Sequence, residues 1–371
     1  MTNHIITCNA GSSNTKLALF DATTLARTAN IQTHNDAETL AWLHSVGEHK
    51  SYPFEKVISQ GRQGEMYDEI HESKPDVGKN LNQMGVSAIG HRVVHGGDKF
   101  IHPTLITPEI LVELEKFTPL APLHQPAALK LIAEVTSLYP NIPQVACFDT
   151  AFHHSMPEIE RRLPLPQSYF NDGIKRYGFH GLSYQYIASV FPERLGDKAT
   201  GRIIVAHLGN GSSMCAMKNF KSMASTMGFS TLDGLMMGTR CGALDVGVIL
   251  HLIEHKKMSI DDINKLLYKN SGLLGVSGVS SDMRELLASS ANEARKAVEL
   301  YCYLAAKQLA SLIPAIGGID ALVFTGGIGE HAEPIRHKIC SHLTWLGDFP
   351  IHIIPTNEES VIAKSCREVL F

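Results

Sequence analysis

A few residues in this chain have the types and neighbours that phosphate or carboxylate chemistry requires. Arg92 stands in His91-Arg92-Val93-Val94-His95-Gly96-Gly97, and Arg240 ends Gly234-Leu235-Met236-Met237-Gly238-Thr239-Arg240. A guanidinium forks onto phosphoryl or carboxylate oxygens and keeps its charge. Both arginines lie in glycine-flanked apolar stretches, which suit a buried clamp better than a surface ion pair. His180, in Tyr177-Gly178-Phe179-His180-Gly181, and His124, just before Gln125-Pro126, are neutral-pH donors. Gln125-Pro126 reads as a helix start, and a helix N-terminus beside His124 favours an anion. Asp149 closes the apolar run from Gln144 and places a carboxylate at a strand end.

Two glycine/serine turns add backbone donors. Ile5 to Ala10 leads into Gly11-Ser12-Ser13 and then Thr15 to Phe20. About 200 residues later, Ile204 to Leu208 leads into Gly209-Asn210-Gly211-Ser212-Ser213 and then Met214 to Met217. Each is an apolar strand, a small-residue turn and a second strand, the pattern of a β-hairpin. Small residues let N–H groups point into the turn and form an anion nest. Two such turns at matching positions suggest duplicated domains facing one cleft.

The elements that must hold these residues read as α/β. Thr107-Pro108 marks a helix start, with Thr as N-cap and Pro at the first position. Leu129, Ile132, Val135 and Leu138 have helical spacing, and the break follows at Pro140 to Pro143. Val298, Tyr301, Ala305, Leu309 and Leu312 mark a long helix that stops near Pro314 and Gly317-Gly318. Ala321 to Thr325 is then a strand that runs into Gly326-Gly327-Ile328-Gly329-Glu330. Ligands of α/β sheets sit at such strand ends. The domain boundary falls near 150–155.

Composition narrows the classes. The 371 residues carry 33 Lys+Arg against 37 Asp+Glu, a net charge of −4. Apolar residues at 44% support real cores, and the mildly acidic balance without basic runs argues against a nucleic-acid surface. No stretch approaches the roughly 18 apolar residues of a membrane span, and the start of the chain lacks a signal-peptide pattern. Seven dispersed cysteines without Cys-x-x-Cys read as reduced thiols of a cytoplasmic protein. There is no Walker loop and no G-x-G-x-x-G. The layout fits instead the actin, sugar-kinase and heat-shock ATPase superfamily: two duplicated α/β domains of the actin-like ATPase (ribonuclease H-like) type flanking a nucleotide cleft.

The chain resembles the acetokinase family, the acetate and propionate kinases, over nearly its whole length. The matching segments are Cys8 to Ser13 with Lys16, His91 to Gly97, Ala121 to His124, Cys147 to His153 and Tyr177 to Gly181. They continue with Ala206 to Ser213, Met227 to Phe229, Gly234 to Arg240, Phe324 to Glu330 and Pro355 to Glu359. The resemblance implies reversible transfer of the ATP γ-phosphoryl group to a short-chain carboxylate. Such an acceptor is already ionised at pH 7, so the site must supply positioning and charge stabilisation more than a strong base.

The resemblance also implies roles. Arg92 would bind the acyl substrate, with Val94, Leu123, His124 and Phe179 around it; His180 and Arg240 would stabilise the transition state. Asp149 would hold Arg92, orient a metal-bound water or accept a proton. Lys16, His207, Leu208, Gly209, Asn210 and Gly211 would lie along the nucleotide's phosphates. Asp282, Met283 and Arg284, with Gly326, Gly327, Ile328, Gly329 and Glu330, would hold the adenosine end. Mg2+, or Mn2+ in its place, would sit near Asn9 and Glu358; spacing alone does not separate Glu358 from Glu359. The implied domains are 1–150 for acyl and phosphate binding and 151–356 for nucleotide binding and dimerisation, with 357–371 packing back on the first. Domain closure would hinge near 150–155 and 356. A homodimer is implied, and the apolar helix from Val298 to Leu312 would serve as its face or equally as core.

The chain departs from the family pattern at several points. Asn14 replaces a third serine, Ala224 an aspartate, and Thr231 a proline in the acyl pocket. Ala243 and Val246 replace an aspartate and a proline, which bears on how firmly Arg240 is held. The stretch from Glu330 to Pro355 is short, so a trimmed peripheral loop is expected. Acetate and propionate stay unresolved, with butyrate less favoured by the short apolar pocket. A nucleotide-binding regulatory protein on the same fold is the alternative without catalysis. A histidine metal site from His91, His95, His153 and His154 lacks the His-Glu-x-x-His helix of zinc hydrolases.

Overall fold

The computed structural model describes residues 3–11, 15–45, 81, 85–122 and 124–371. The expectations for Ser12, Ser13, Asn14 and Leu123 therefore lie outside the described residues. Two mixed sheets organise the chain. The first contains β1 (His4–Ala10), β2 (Thr15–Asp21), β3 (Arg27–Thr33), β4 (Val86–Val93), β5 (Thr104–Leu105) and β6 (Gln144–Phe148), in the order β3-β2-β1-β4-β6-β5. The second contains β7 (Ile203–Leu208), β8 (Ser212–Lys218), β9 (Lys221–Ser225), β10 (Ala321–Thr325) and β11 (Ile351–Ile353), in the order β11-β10-β7-β8-β9.

The two sheets repeat one plan. In each, three strands form an antiparallel meander, and its first strand then pairs in parallel with a later one, β1 with β4 and β7 with β10. A further parallel strand follows, β6 beside β4 and β11 beside β10. The hairpins β1–β2 and β7–β8 thus occupy equivalent places, and Gly209-Asn210-Gly211 forms the turn of the second. The runs Ile5–Asn9 and Ile203–Ala206 are buried without alternation, as expected of central strands covered on both faces.

Helices cover the sheets where the apolar spacing predicts. Thr107 caps the helix Pro108–Glu115 by accepting from the Ile110 N–H. The helix Gln125–Leu138 turns Leu129, Ile132 and Val135 inward. The long helix spans Asn292–Ile316 and continues through Pro314; Gly317, in the left-handed region at φ 76°, ends it. Its apolar face, including Val298, Tyr301, Ala305, Leu309 and Leu312, is core beneath the second sheet.

Two helices tie the halves together. Gly181–Leu195 places Tyr184, Ile187 and Phe191 in a core with β7, β8 and β10, while its Leu182 joins the core of the first sheet. The terminal helix Glu358–Leu370 packs Val361, Ile362, Ala363 and Cys366 against Ile5, Ala88 and Cys147. It lies directly on β4, where a Cβ at Gly90 would overlap Ile362 and Cys366. Between Glu330 and Pro355 the chain forms a helix, Glu333–Ser341, a short turn and β11.

Candidate active site

A cleft of about 400 Å³ opens where the hairpin turns and strand ends of the two sheets face each other. Its walls bring together Asn9, Lys16, Arg92, Val94, His124, Asp149, Phe179, His180, His207, Gly209, Asn210, Gly211, Arg240, Gly326, Gly327, Glu330 and Glu358. Gly11, Thr231, His331 and Thr356 complete them. Gly11, His331 and Thr356 carry no expected role in the sequence. The Gly11 turn and the Pro355 to Glu359 motif were the signals that could have included two of them.

Arg92, on the last turn of register in β4, is held on both sides. Its Nε lies 3.0 Å from each Asp149 oxygen, and Nη2 lies 2.5 Å from Asp149 Oδ2. Nη1 donates to the Ala10 carbonyl at 3.2 Å and to Asn9 Oδ1 at 3.4 Å. Five N–H groups are available, so these contacts leave one Nη2 proton free for a ligand. Burial opposes the Arg92 charge, but Asp149, Glu358 and Glu359 outweigh it and push the guanidinium's pKa up. Burial pushes the Asp149 carboxyl up against the pull of Arg92. Its geometry is that of an arginine holder.

Asn9 Nδ2 donates to Glu358 Oε2 at 2.8 Å and to Glu359 Oε1 at 2.9 Å. The amide oxygen is turned toward Arg92, so Asn9 steadies the carboxylates in this geometry and does not offer its oxygen to a metal. Glu358 lines the cleft whereas Glu359 is buried beside it. Burial disfavours the Glu358 charge, yet Arg92, His207, the Asn9 amide and Lys16 hold its carboxyl below the usual range. An ionised oxygen donor lining a cleft suits a hard divalent cation.

Across the cleft, Arg240 and His180 converge. A Cβ added at Gly211 would lie 2.9 Å from Arg240 Nη2 and 3.2 Å from His180 Nε2, so both groups point at the same face of that glycine. Arg240 is 8% exposed, and its Nη1 donates to the Thr231 carbonyl at 2.7 Å. The anchor is thus the backbone of Thr231, which any residue there supplies. Ala243 and Val246 are solvent-exposed, and Val246 begins a separate helix. Ala224 is buried core in β9. The Arg240 contacts therefore do not run through these three substitutions. Burial, with Arg92 nearby, lowers Arg240 to about 10, still charged at neutral pH.

His180 caps the helix Gly181–Leu195 in the left-handed region at φ 58°, an uncommon conformation for a residue with a Cβ. The fold imposes it: a Cβ at Gly181 would overlap the Asp149 carbonyl, which accepts the Gly181 N–H at 3.0 Å. Asp149 and His180 are thereby fixed relative to each other. Burial, then His207, Arg92 and Arg240, holds the His180 imidazole well below its ordinary pKa. Its ring stacks on His207 at 4.5 Å between centroids. Burial followed by Arg240 and Arg92 takes His124 down to about 3. His124 is the N-cap position of the helix Gln125–Leu138. Both histidines are neutral donors or acceptors at pH 7.

The remaining wall is shared between backbone and apolar groups. Glu330 Oε1 accepts the N–H groups of Gly326 at 2.9 Å and Thr356 at 3.1 Å, joining the β10 turn to the segment before Glu358. Val94 and Phe179 form a small apolar cluster with Ala121, Met227 and Met237. Leu208 is buried in β7. Leu208, Ile328 and Gly329 do not line this cleft, and neither do Asp282, Met283 and Arg284. Asp282 caps the helix Met283–Ala288 and pairs with the exposed Arg284 at 2.5 Å. Among the described residues no group of three or more His, Cys, Asp and Glu is placed to hold a metal ion, and no helix is long and apolar enough to cross a membrane.

Comparison with known proteins identifies the family. The model of the acetokinase family matches residues 4–350. An acetate kinase of Rhodopseudomonas palustris is 47% identical over 358 residues, 94% of this chain and 88% of its own length. An acetate kinase of Rickettsia akari is 39% identical over the full length of both. Among solved structures, the acetate kinase of Porphyromonas gingivalis superposes with a TM-score of 0.80 at 31% identity over all of both chains. A propionate kinase from Francisella tularensis gives 0.83 at 31% identity over 99% of each. The chain belongs to the acetokinase family.

Proposed function

We propose that this chain is an acetate kinase: it transfers the γ-phosphoryl group of ATP reversibly to acetate by direct in-line attack, giving acetyl phosphate and ADP. The observation that carries the reading is the convergence of Arg240 Nη2 and His180 Nε2 on Gly211, opposite the Asp149-held Arg92. Acetate, already ionised, binds the free Arg92 N–H with its methyl group against Val94 and Phe179. The group in flight then lies between Arg92 and Arg240, where fixed donors meet the charge that develops on its oxygens. The backbone of Gly209 to Gly211, with Lys16, follows the nucleotide phosphates, and the nucleoside leaves past Gly326 and Gly327. Magnesium, or manganese in its place, supplies charge neutralisation at the phosphate oxygens; Glu358 would hold it, with Asn9 orienting the carboxylate. Propionate is the second reading, since one similar structure is a propionate kinase and Thr231 lines the cleft.

The test is an acyl-hydroxamate assay with Mg-ATP against acetate, propionate and butyrate, run beside Arg240→Ala. Activity on acetate that the variant loses supports the reading. ATP binding without transfer to any acid puts the regulatory alternative first.

We also infer a homodimer, formed through a surface other than the long helix. The helix Val246–Glu254 buries no side chain although its sequence is Val-Gly-Val-Ile-Leu-His-Leu-Ile-Glu. Val246 is 76% and Leu250 57% exposed, with Leu244, Ile260, Val276 and Val279 also exposed. A soluble chain rarely leaves so much apolar surface open unless something covers it, and a second copy is the expected partner. Sedimentation of wild type and Leu250→Glu decides: a dimer lost in the variant supports this face. A wild-type monomer rejects it. The unpaired thiols suit a reducing compartment, and we infer the cytoplasm.

A further inference from the structure

Behind His180 lies a chain of hydroxyl groups that the phosphoryl-transfer reading does not use. Ser213 Oγ, fully buried, lies 2.8 Å from His180 Nδ1. Tyr184, one helical turn beyond His180 and also fully buried, places its OH 2.5 Å from the same Ser213 Oγ. The contact to Ser213 is the one hydrogen bond recorded for the Tyr184 hydroxyl among the described residues.

The direction of the chain follows from counting protons. A phenol carries one proton and is a better donor than an aliphatic hydroxyl. Buried in this way it must donate to Ser213 Oγ. Ser213 Oγ is buried and has no other acceptor within reach among the described residues, so its own proton goes to His180 Nδ1, which has to accept. A neutral imidazole that accepts at Nδ1 carries its proton on Nε2. The opposite direction, with His180 donating to Ser213 and Ser213 to Tyr184, leaves a buried phenolic proton with no acceptor. It also aims the Nε2 lone pair at the face of Gly211, where a phosphoryl oxygen would repel it.

We propose that Tyr184 and Ser213 are positioning residues that fix the tautomer of His180, so that Nε2–H faces the cleft beside Arg240 as a donor. The proposal rests on the phosphoryl-transfer reading for its consequence, but the tautomer itself does not depend on that reading. Burial keeps the Tyr184 phenol protonated, with its pKa pushed well above the ordinary value. The ring of Tyr184 also packs at 5.5 Å edge-on to His153, so the phenylalanine variant preserves the packing and removes only the donor.

Two measurements test it. The first is 15N NMR of histidine-labelled protein, with His180 assigned by difference against His180→Gln. Protonated Nε2 and unprotonated Nδ1 are expected in the wild type; the reverse overturns the proposal, whether or not the chain transfers phosphate. The second is steady-state kinetics of Tyr184→Phe, Ser213→Ala and the double variant. In Tyr184→Phe the imidazole loses this bias and kcat falls with the remaining Nε2–H fraction, about twofold at equal populations and about tenfold if that form drops to a tenth, while KM for acetate and ATP stays within about twofold. Because Tyr184 acts through Ser213, adding Tyr184→Phe to Ser213→Ala costs nothing further. Independent, multiplying losses overturn the relay, as does a Tyr184→Phe enzyme with wild-type kcat and an unchanged His180 spectrum. Should a variant fail to fold, the wild-type spectrum still decides the tautomer. Loss of transfer in the wild type would reject the functional reading and leave the tautomer result standing.

Discussion

The most direct perturbation of the proposed transfer point is Gly211→Ala. Gly211 does not need glycine for its backbone, since its φ is not positive. The added methyl group would sit 2.9 Å from Arg240 Nη2 and 3.2 Å from His180 Nε2. Both contacts are shorter than an ordinary van der Waals separation, but the guanidinium tip can give by a few tenths of an ångström. Folding therefore loses little, and the lower entropy of the unfolded chain offsets it by about 0.4–1 kcal/mol. Catalysis has no such freedom. The methyl group occupies the position from which two donors would reach a phosphoryl oxygen, and misplacement by about 1 Å costs on the order of 10²-fold. That is about 2.7 kcal/mol of transition-state stabilisation at 1.36 kcal/mol per tenfold. The expected result is a hydroxamate-assay kcat down about 100-fold, with Tm unchanged or slightly raised and Mg-ADP affinity falling much less than kcat. A folded Gly211→Ala enzyme with kcat within about threefold of wild type would show that the group in flight does not lie at this convergence.

Arg240→Lys cannot both reach the Thr231 carbonyl and present a second N–H at Gly211, so kcat should fall about 10²–10³-fold with KM for acetate little changed; a lysine enzyme of near-normal kcat would count against the clamp. Val94→Ala removes two methyl groups from the small apolar wall, and a methylene is worth about 1–3 kcal/mol of discrimination. The ratio of kcat/KM for propionate over acetate should rise about tenfold, and an unchanged ratio would place the acyl group elsewhere. Burial takes His91, His95 and His153 down to about 4, below the roughly 6.5 of an unfolded chain. The unfolded state then binds more protons at acid pH, so their contribution is complete above about pH 6.5 and is lost as pH falls toward 4. Each group removes about 1.4 kcal/mol per pH unit across that window. Thermal melts should show Tm level above pH 7 and falling from about pH 6.5; a Tm flat down to pH 5 would contradict the buried neutral histidines.

The parts of this molecule legible in the sequence are those that act locally. The two hairpins, the Thr107 cap, the helix after His124 and the strand before Gly326 are each specified by neighbouring residues, and each forms where its pattern lies. A glycine-rich apolar setting made Arg92, His180 and Arg240 candidates, because a charged or titratable group in an apolar run must be paired or placed in a cleft, and the resemblance to the family supplied their implied roles. What spacing does not carry is which partner completes each group. Asn9 meets Glu358 across 349 residues because the terminal helix returns onto the first sheet, and Glu330 reaches Thr356 because β11 pairs with β10. Asp282 shows the same limit from the other side. Its carboxylate caps the helix Met283–Ala288 and pairs with the exposed Arg284, two local contacts that neither require nor exclude the nucleotide role the resemblance implies. Apolar helices carry the same ambiguity. The sequences from Val298 to Leu312 and from Val246 to Ile253 both present an apolar stripe, but among the described residues the first covers a sheet and the second stays exposed. Hydrophobic pattern states that a face must be buried, and only the tertiary fold states whether this chain or another copy must bury it.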